Sequence, residues 1–450
     1  FMPSLVGTEM CIRDSLYSAA VWLAQPLVRR KLRRRAVAEP LYGEHMAERF
    51  GRYRQPAPAA GEGPLVWLHA VSLGETLAAA TLVTALRQQL PGMRLLLTHG
   101  TATGRAAGAR LLQPGDVQVW QPWDTVGAVR RFLAHFRPQL GLLMETELWP
   151  NLVAESTRAA VPLCLVNARL SEKTLRQSLR WGALARNAYA GLHAAWAQSE
   201  ADAQRLRQLG APVRGVMGNF KFDMAPNPAL LAQGRSWREA SARPVLMFAS
   251  VREGEEAMLI ELLKQKRSPA PVESAQAAPE KIANPMQWLI VPRHPQRFDE
   301  VAALFSAAGY TVARRSQWGD GGPVTADIWL GDSLGEMALY FGLAHAALLG
   351  GSFAPLGGQN LIEAAACGVP VFMGPHTYNF AEASQLAADA GAAFACSDLA
   401  EAVQRATAML HTAPALAQAQ QAALDLGAAH RGAALRTAQA LAAVLAEKRP

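Results

Sequence analysis

The sequence predicts an α/β protein: two Rossmann-like parallel-sheet domains facing a cleft, with an N-terminal membrane-associated helix. Three observations carry this expectation. The chain has 450 residues, more than one ordinary core accommodates, so two domains follow. Short apolar runs alternate with amphipathic stretches in two successive series, the pattern of parallel sheets covered by helices on both faces. An apolar run followed at once by a basic run stands near the amino end. Half the residues are apolar and 18% are charged, a globular composition that argues against extended disorder.

Taken in order, residues 1–15 (FMPSLVGTEMCIRDS) lack the charge, apolar run and small-residue cleavage site of a signal peptide. They read as a non-native leader. Residues 16–40 form the membrane-associated segment. Its apolar part, Leu16 to Val28, contains Trp22 and Leu23 and is shorter than the roughly 20 residues that span a bilayer. Arg29, Arg30, Lys31, Arg33, Arg34 and Arg35 follow and account for six charges within a net charge of +8. That order suits an interfacial anchor on an anionic membrane surface; the competing reading is a solvated helix with a charged face. Basic and aromatic residues are not interleaved along a surface, so no nucleic-acid partner is expected.

Residues 41–225 form the first domain, with buried strands at Leu65–Leu68, Arg94–Thr98, Leu140–Met144 and Leu163–Val166 and an amphipathic stretch at Thr76–Leu90. A joint lies near Met224–Ala232. Residues 233–430 form the second, with strands at Val245–Phe248, Trp288–Val291, Ile328–Leu330, Ala346–Leu349 and Val369–Met373. Residues 264–285, rich in Pro, Ala, Ser and charge, read as a surface insertion. Residues 431–450 form a C-terminal helix. The four cysteines (Cys11, Cys164, Cys367, Cys396) have no zinc or redox spacing and read as buried free thiols in a reducing compartment.

Ligands of open parallel sheets bind at the carboxyl ends of the strands, and five motifs fall there. In WLHAVSLGE, Glu75 opens a helix, where it either complements the helix dipole or serves as a base. METELWPNL supplies Glu145 and Glu147, facing the same way if the strand continues; alternatively Glu147 caps the next helix and Trp149 joins the core. GNFKFD puts Lys221 beside the joint, as a surface lysine or as a cation for an anionic donor across the cleft. LIVPRHPQRF holds Arg293 and His294 between prolines, a suitable pair for phosphate or carboxylate. LGGSFAPLGGQNLIEAAACG offers glycines, a helix from about Asn360, and Glu363 one turn in, able to accept from a ribose. GDSLGEM repeats the strand–glycine–helix logic. No G-x-G-x-x-G, P-loop, H-E-x-x-H or D-x-D motif occurs, so dinucleotide, P-loop and common metal sites lose their main support.

The strings HAVSLGE, ETELWPN, NARLSEK, QSEAD, GNFKFD, VPRHPQRF, GDSLGEM and GGQNLIEAA, in that order over residues 16–385, closely resemble the Kdo (3-deoxy-D-manno-octulosonic acid) transferases of lipopolysaccharide synthesis. The resemblance implies a GT-B fold and inverting, metal-independent transfer of Kdo from CMP-Kdo to a lipid A precursor (lipid IVA). It places the enzyme at the cytoplasmic face of the bacterial inner membrane. CMP-Kdo is a substrate, and no cofactor is implied. Glu75 then matches the general base, and Glu145 and Lys221 match groups that stabilise the transition state. Arg293, His294, Leu334, Gly335, Glu336, Asn360, Leu361, Ile362 and Glu363 match CMP contacts. Gln359, Leu361 and Val251 depart from the family's frequent histidine, proline and threonine. A GT-B nucleotide-sugar epimerase and a non-catalytic nucleotide-binding membrane protein are the rival readings.

Overall fold

The computed structural model describes residues 15–56, 63–267, 286–319 and 321–447. Residues 1–14 of the expected leader, and Cys11 with them, lie outside the described residues, as do 268–285 of the insertion. The chain divides into two compact units, one of Phe1–Asp223 with Arg431–Pro450 and one of Met224–His430.

Seven strands build the first unit: β1 Leu65–His69, β2 Arg94–His99, β3 Val117–Trp120, β4 Leu140–Met144, β5 Leu163–Ala168, β6 Ala194–Ala197 and β7 Val213–Val216. They pair in the order β3-β2-β1-β4-β5-β6-β7, all parallel. β1, β4 and β5 are buried along their whole length, which is why they read as continuous apolar runs. Gly141 in β4 is required by packing: a Cβ there would lie 2.9 Å from the Trp67 ring and 2.7 Å from Leu163. Five helices of this unit start at side-chain caps, with Ser72, Thr101, Thr125, Ser171 and Ser199 each accepting from a backbone N–H. The C-terminal segment, expected as a piece of its own, returns here. Helix Ala433–Ala446 buries Ala434, Ala438, Leu441 and Val444 in the core shared with Leu68 and Leu82.

The second unit repeats the plan with β8 Val245–Val251, β9 Gln287–Pro292, β10 Val312–Arg314, β11 Ile328–Leu330, β12 Ala346–Leu349, β13 Val371–Met373 and β14 Ala393–Ala395. Their order is β10-β11-β9-β8-β12-β13-β14, again parallel throughout. Two expectations are corrected here. Lys264–Arg267 are not insertion but the end of helix Glu255–Arg267, and the joint is short because helix Pro228–Glu239 starts inside it, capped by Asn227. Cys164, Cys367 and Cys396 are free and buried.

The amino-terminal segment is helical over residues 15–23 and again over Gln25–Ala38. It is tied to the first unit: Tyr17 donates to Asp124 (2.8 Å), Leu32 packs with Tyr42 and Trp120, and Arg29 lies over the Phe50 ring. Leu16, Trp22, Leu23 and Leu27 remain 63–69% exposed. No helix among the described residues is long and apolar enough to cross a membrane.

Candidate active site

The first sheet reverses its strand order between β1 and β4, and the second has the matching reversal between β8 and β12. The crevice at the carboxyl ends of those strands is where such sheets take ligands. Glu75 follows β1, and Glu145 directly follows β4.

Glu75 is the third residue of helix Leu73–Gln89. Its own amide donates to the Ser72 hydroxyl (3.4 Å), while Ser72 Oγ and the Val71 amide donate back to its carboxylate, each at 2.9 Å. This is a variant of the capping box in which the carboxylate reaches the amide one residue before the N-cap. Burial pushes the carboxyl up to about 7, and the charges of Glu145 and Glu147 add to the rise, outweighing the bonds from Val71 and Ser72. A carboxyl poised at neutrality suits a general base, and its part in the cap does not exclude that role.

At Glu145 the strand stops in a left-handed turn, φ 55°, a conformation uncommon outside glycine and often found at functional sites. The turn breaks the alternation expected for Glu145 and Glu147. Glu147 instead accepts from Trp149 Nε1 (3.1 Å), and burial, with Glu145 adding, raises its carboxyl above the usual range. It does not cap helix Pro150–Arg158, whose N-cap is Trp149; that indole packs at the edge of the core. Lys221 stands in the 3₁₀ turn Phe220–Asp223 with Nζ 3.8 Å from Glu145 Oε1, both side chains about four-fifths buried. The Asp223 carboxylate accepts from the amides of Gly432 and Ala434, joining this turn to the last helix. The first unit thus gathers Glu75, Glu145, Glu147 and Lys221.

In the second unit Arg293 leaves the end of β9, and its Nε donates to Gln359 Oε1 (3.2 Å). His294 Nε2 is 3.9 Å from Glu253 Oε1. Partial burial first, then the charge of Arg252, holds the imidazole below its ordinary value, with Glu253 opposing. Asn360 Oδ1 accepts from the Ile362 amide (3.2 Å), and its Nδ2 donates to Glu363 (3.3 Å). Helix Ile362–Ala366 therefore starts two residues later than expected and has five residues. Leu361 and Ile362 are buried, so only their backbone can meet a ligand. Leu334 is 75% exposed beside Gly335 at φ 80°, and Glu336 is held by Arg315 (2.9 Å) and Ser333. Arg293 and the 359–363 turn are brought together through Gln359; Glu336 sits in its own cluster with Arg315, Ser333 and Tyr340.

Glu255 was missed. Fully buried, its carboxylate accepts from the amides of Arg252 (2.9 Å), Gly351 (2.7 Å), Phe353 (3.1 Å) and Ala354 (3.3 Å). It clamps the end of β8 to the glycine turn after β12. Gly350 is needed there, because a Cβ would fall 2.3 Å from Ser250 O. The signal was present as a repeated pattern, Val71-x-x-Gly74-Glu75 and Val251-x-x-Gly254-Glu255. No group of three or more His, Cys, Asp or Glu among the described residues has metal-binding geometry.

Two parallel-sheet units, each with polar groups at its reversal point, define the GT-B class of fold. Solved structures agree: a glycosyltransferase from Rickettsia africae (TM-score 0.56, 11% identity) and a UDP-GlcNAc 2-epimerase from Neisseria meningitidis (TM-score 0.53, 13% identity) each match 86% of this chain and 100% of their own. At those identities the likeness is one of fold. Sequence relatives narrow the class. The family described as 3-deoxy-D-manno-octulosonic-acid transferase (kdotransferase) matches residues 44–224. The 3-deoxy-D-manno-octulosonic acid transferase of Bordetella pertussis is 48% identical over 400 residues, covering 87% of this chain and 90% of that protein. That of Haemophilus influenzae is 30% identical over 425 residues, covering 93% and 96%. The chain belongs to the Kdo transferase family and is a glycosyltransferase.

Proposed function

We propose that the chain transfers Kdo from CMP-Kdo to a sugar hydroxyl of a lipid A precursor, lipid IVA, inverting the anomeric centre without a metal ion. The observation that carries this reading is Glu75, a carboxyl poised near pH 7 at the reversal point of the first sheet. Ionised Glu75 takes the proton of the acceptor hydroxyl as its oxygen bonds to the anomeric carbon of Kdo. The bond from that carbon to the CMP phosphate oxygen breaks, and CMP leaves with the electron pair. An alcohol is a poor nucleophile at neutral pH, so the base lowers the barrier directly. Donor and leaving group are both anionic. Lys221, steadied by Glu145, offsets charge growing on the departing phosphate, the kind of electrostatic help that is often the largest single effect. Arg293, His294, the Leu334–Glu336 turn and Asn360–Glu363 hold CMP, with Leu361 and Ile362 acting through their backbone.

The acceptor's acyl chains remain in lipid, which gives the amino-terminal segment its role. Exposed Leu16, Trp22, Leu23 and Leu27 beside six basic residues suit docking on the anionic cytoplasmic face of the bacterial inner membrane. Leu32 and Tyr17 are committed to the first unit, so docking is tested by substitution rather than by truncation. Replacing Trp22, Leu23 and Leu27 with serine lowers the fraction sedimenting with anionic vesicles; unchanged sedimentation overturns the docking role. For the reaction, CMP release is followed with CMP-Kdo and lipid IVA. Release that requires the acceptor and collapses in Glu75→Gln supports the reading; acceptor-independent release, or near-normal turnover in that variant, refutes it.

A further inference from the structure

We infer that three neutral amides, Asn167, Gln198 and Asn219, form a relay that positions Lys221. The inference rests on the proposed role of Lys221. β5 departs from regular pairing with β6 between Leu165 and Ala168, and Asn167 within that irregularity is left-handed at φ 49°. Such a bulge re-aims a side chain out of the sheet's alternation. Here Asn167 Oδ1 accepts from the amide of Phe220 (3.0 Å), the first residue of the Lys221 turn. Gln198, just beyond β6, donates from Nε2 to the Asn167 carbonyl (3.0 Å) and accepts at Oε1 from Asn219 Nδ2 (3.0 Å). Asn219 Oδ1 then accepts from the amide of Lys221 itself (3.0 Å).

The chain of bonds runs from the end of β5 through the end of β6 to the lysine. Asn167 and Gln198 are buried, where the bonds an amide makes favour one arrangement; Asn167 Nδ2 alone among the relay's buried polar atoms meets no partner among the described residues. The same stretch of β5 is joined to the other member of the ion pair: Glu145 donates its amide to Val166 O (3.1 Å) and accepts at its carbonyl from the amide of Arg169 (3.3 Å). One strand end therefore sets both the carboxylate and, through the relay, the ammonium 3.8 Å from it. Lys221 is a long side chain with several rotamers, and locking its backbone removes the first source of misplacement. None of the three amides needs to touch substrate; they are positioning residues.

The test is a double-mutant cycle in the full chain. Gln198→Met keeps the side-chain volume and removes both amide bonds. It is expected to lower kcat roughly ten- to a hundredfold, the scale of a small misplacement, with KM for CMP-Kdo within about twofold. In a Lys221→Ala background the same substitution is expected to cost nothing further, because the group it positions is gone. Asn219→Ala is expected to behave alike, a second entry to the relay should Gln198→Met fold poorly. An undiminished kcat in both variants, or an equal loss with and without Lys221, overturns the relay while leaving Lys221 in place. A Lys221→Ala enzyme at the parent rate overturns the role of Lys221 instead.

Discussion

The two units carry the same five-residue pattern at the same place, the first strand running into V-x-x-G-E, yet they set its glutamate in opposite surroundings. Glu75 has two donors, one of them a hydroxyl, and two carboxylates for neighbours, and it is driven up to about 7. Glu255 has four backbone N–H donors and no exposure to solvent. A carboxylate with its acceptor sites filled by amides is part of the frame; one that is under-satisfied and crowded by like charge is available for proton transfer. Position in the fold alone does not separate the two. The count and kind of partners do.

That contrast breaks first at Glu75. Glu75→Gln should cut kcat by roughly 10²- to 10⁴-fold, as loss of a general base does, with CMP-Kdo binding little changed. Its stability should move the other way with a definite pH window. The carboxyl is raised from 4.5 to about 7 in the folded chain, so the folded state holds the proton more tightly and is progressively weakened as pH rises through that interval. Thermal unfolding of Glu75→Gln against the parent should therefore be level near pH 4.5 and favour the variant at pH 8.

Glu255→Gln should do the reverse. An amide in place of one oxygen turns an N–H donor toward N–H donors, at a cost of about 3 kcal/mol for the buried groups left unpaired. Unfolding of the second unit should shift down, and KM for CMP-Kdo should rise more than kcat falls. If Glu255→Gln instead matched Glu75→Gln in kcat at unchanged stability, the contrast would be wrong.

Smaller effects sharpen the donor side. Arg293→Ala should weaken CMP binding by about 1.5–3 kcal/mol, the range for a hydrogen bond to a charged group, as read by calorimetry. His294 is held below its ordinary value by burial and by Arg252, so it is largely neutral at pH 7. A phosphate bound beside it would favour the protonated ring, and CMP affinity should then tighten as pH falls from 7 toward 6, with proton uptake visible as a buffer-dependent binding heat. His294→Gln should abolish that dependence while costing less affinity than the loss of Arg293.

The sequence by itself determined the two parallel sheets, because β1, β2, β4 and β5, and β8, β9, β11, β12 and β13, sit inside their sheets and read as continuous apolar runs. It passed over β3, β7, β10 and β14, which lie at the sheet edges, are three or four residues long and are in part exposed. It also passed over β6, AAWA, where alanine carries little strand preference although all four residues are buried. It picked out Glu75, Glu145 and Lys221 as polar residues at strand ends and turns. Only the tertiary structure decided that Lys221 faces Glu145 across 146 to 220, that Glu75 is held near neutrality, and that Glu255 is spent on the glycine turn. Those outcomes depend on burial and on groups brought in from far away in sequence, Glu145 beside Glu75 and Lys221 and the amides of Gly351, Phe353 and Ala354 on Glu255, and partners at that separation leave no local periodicity to read.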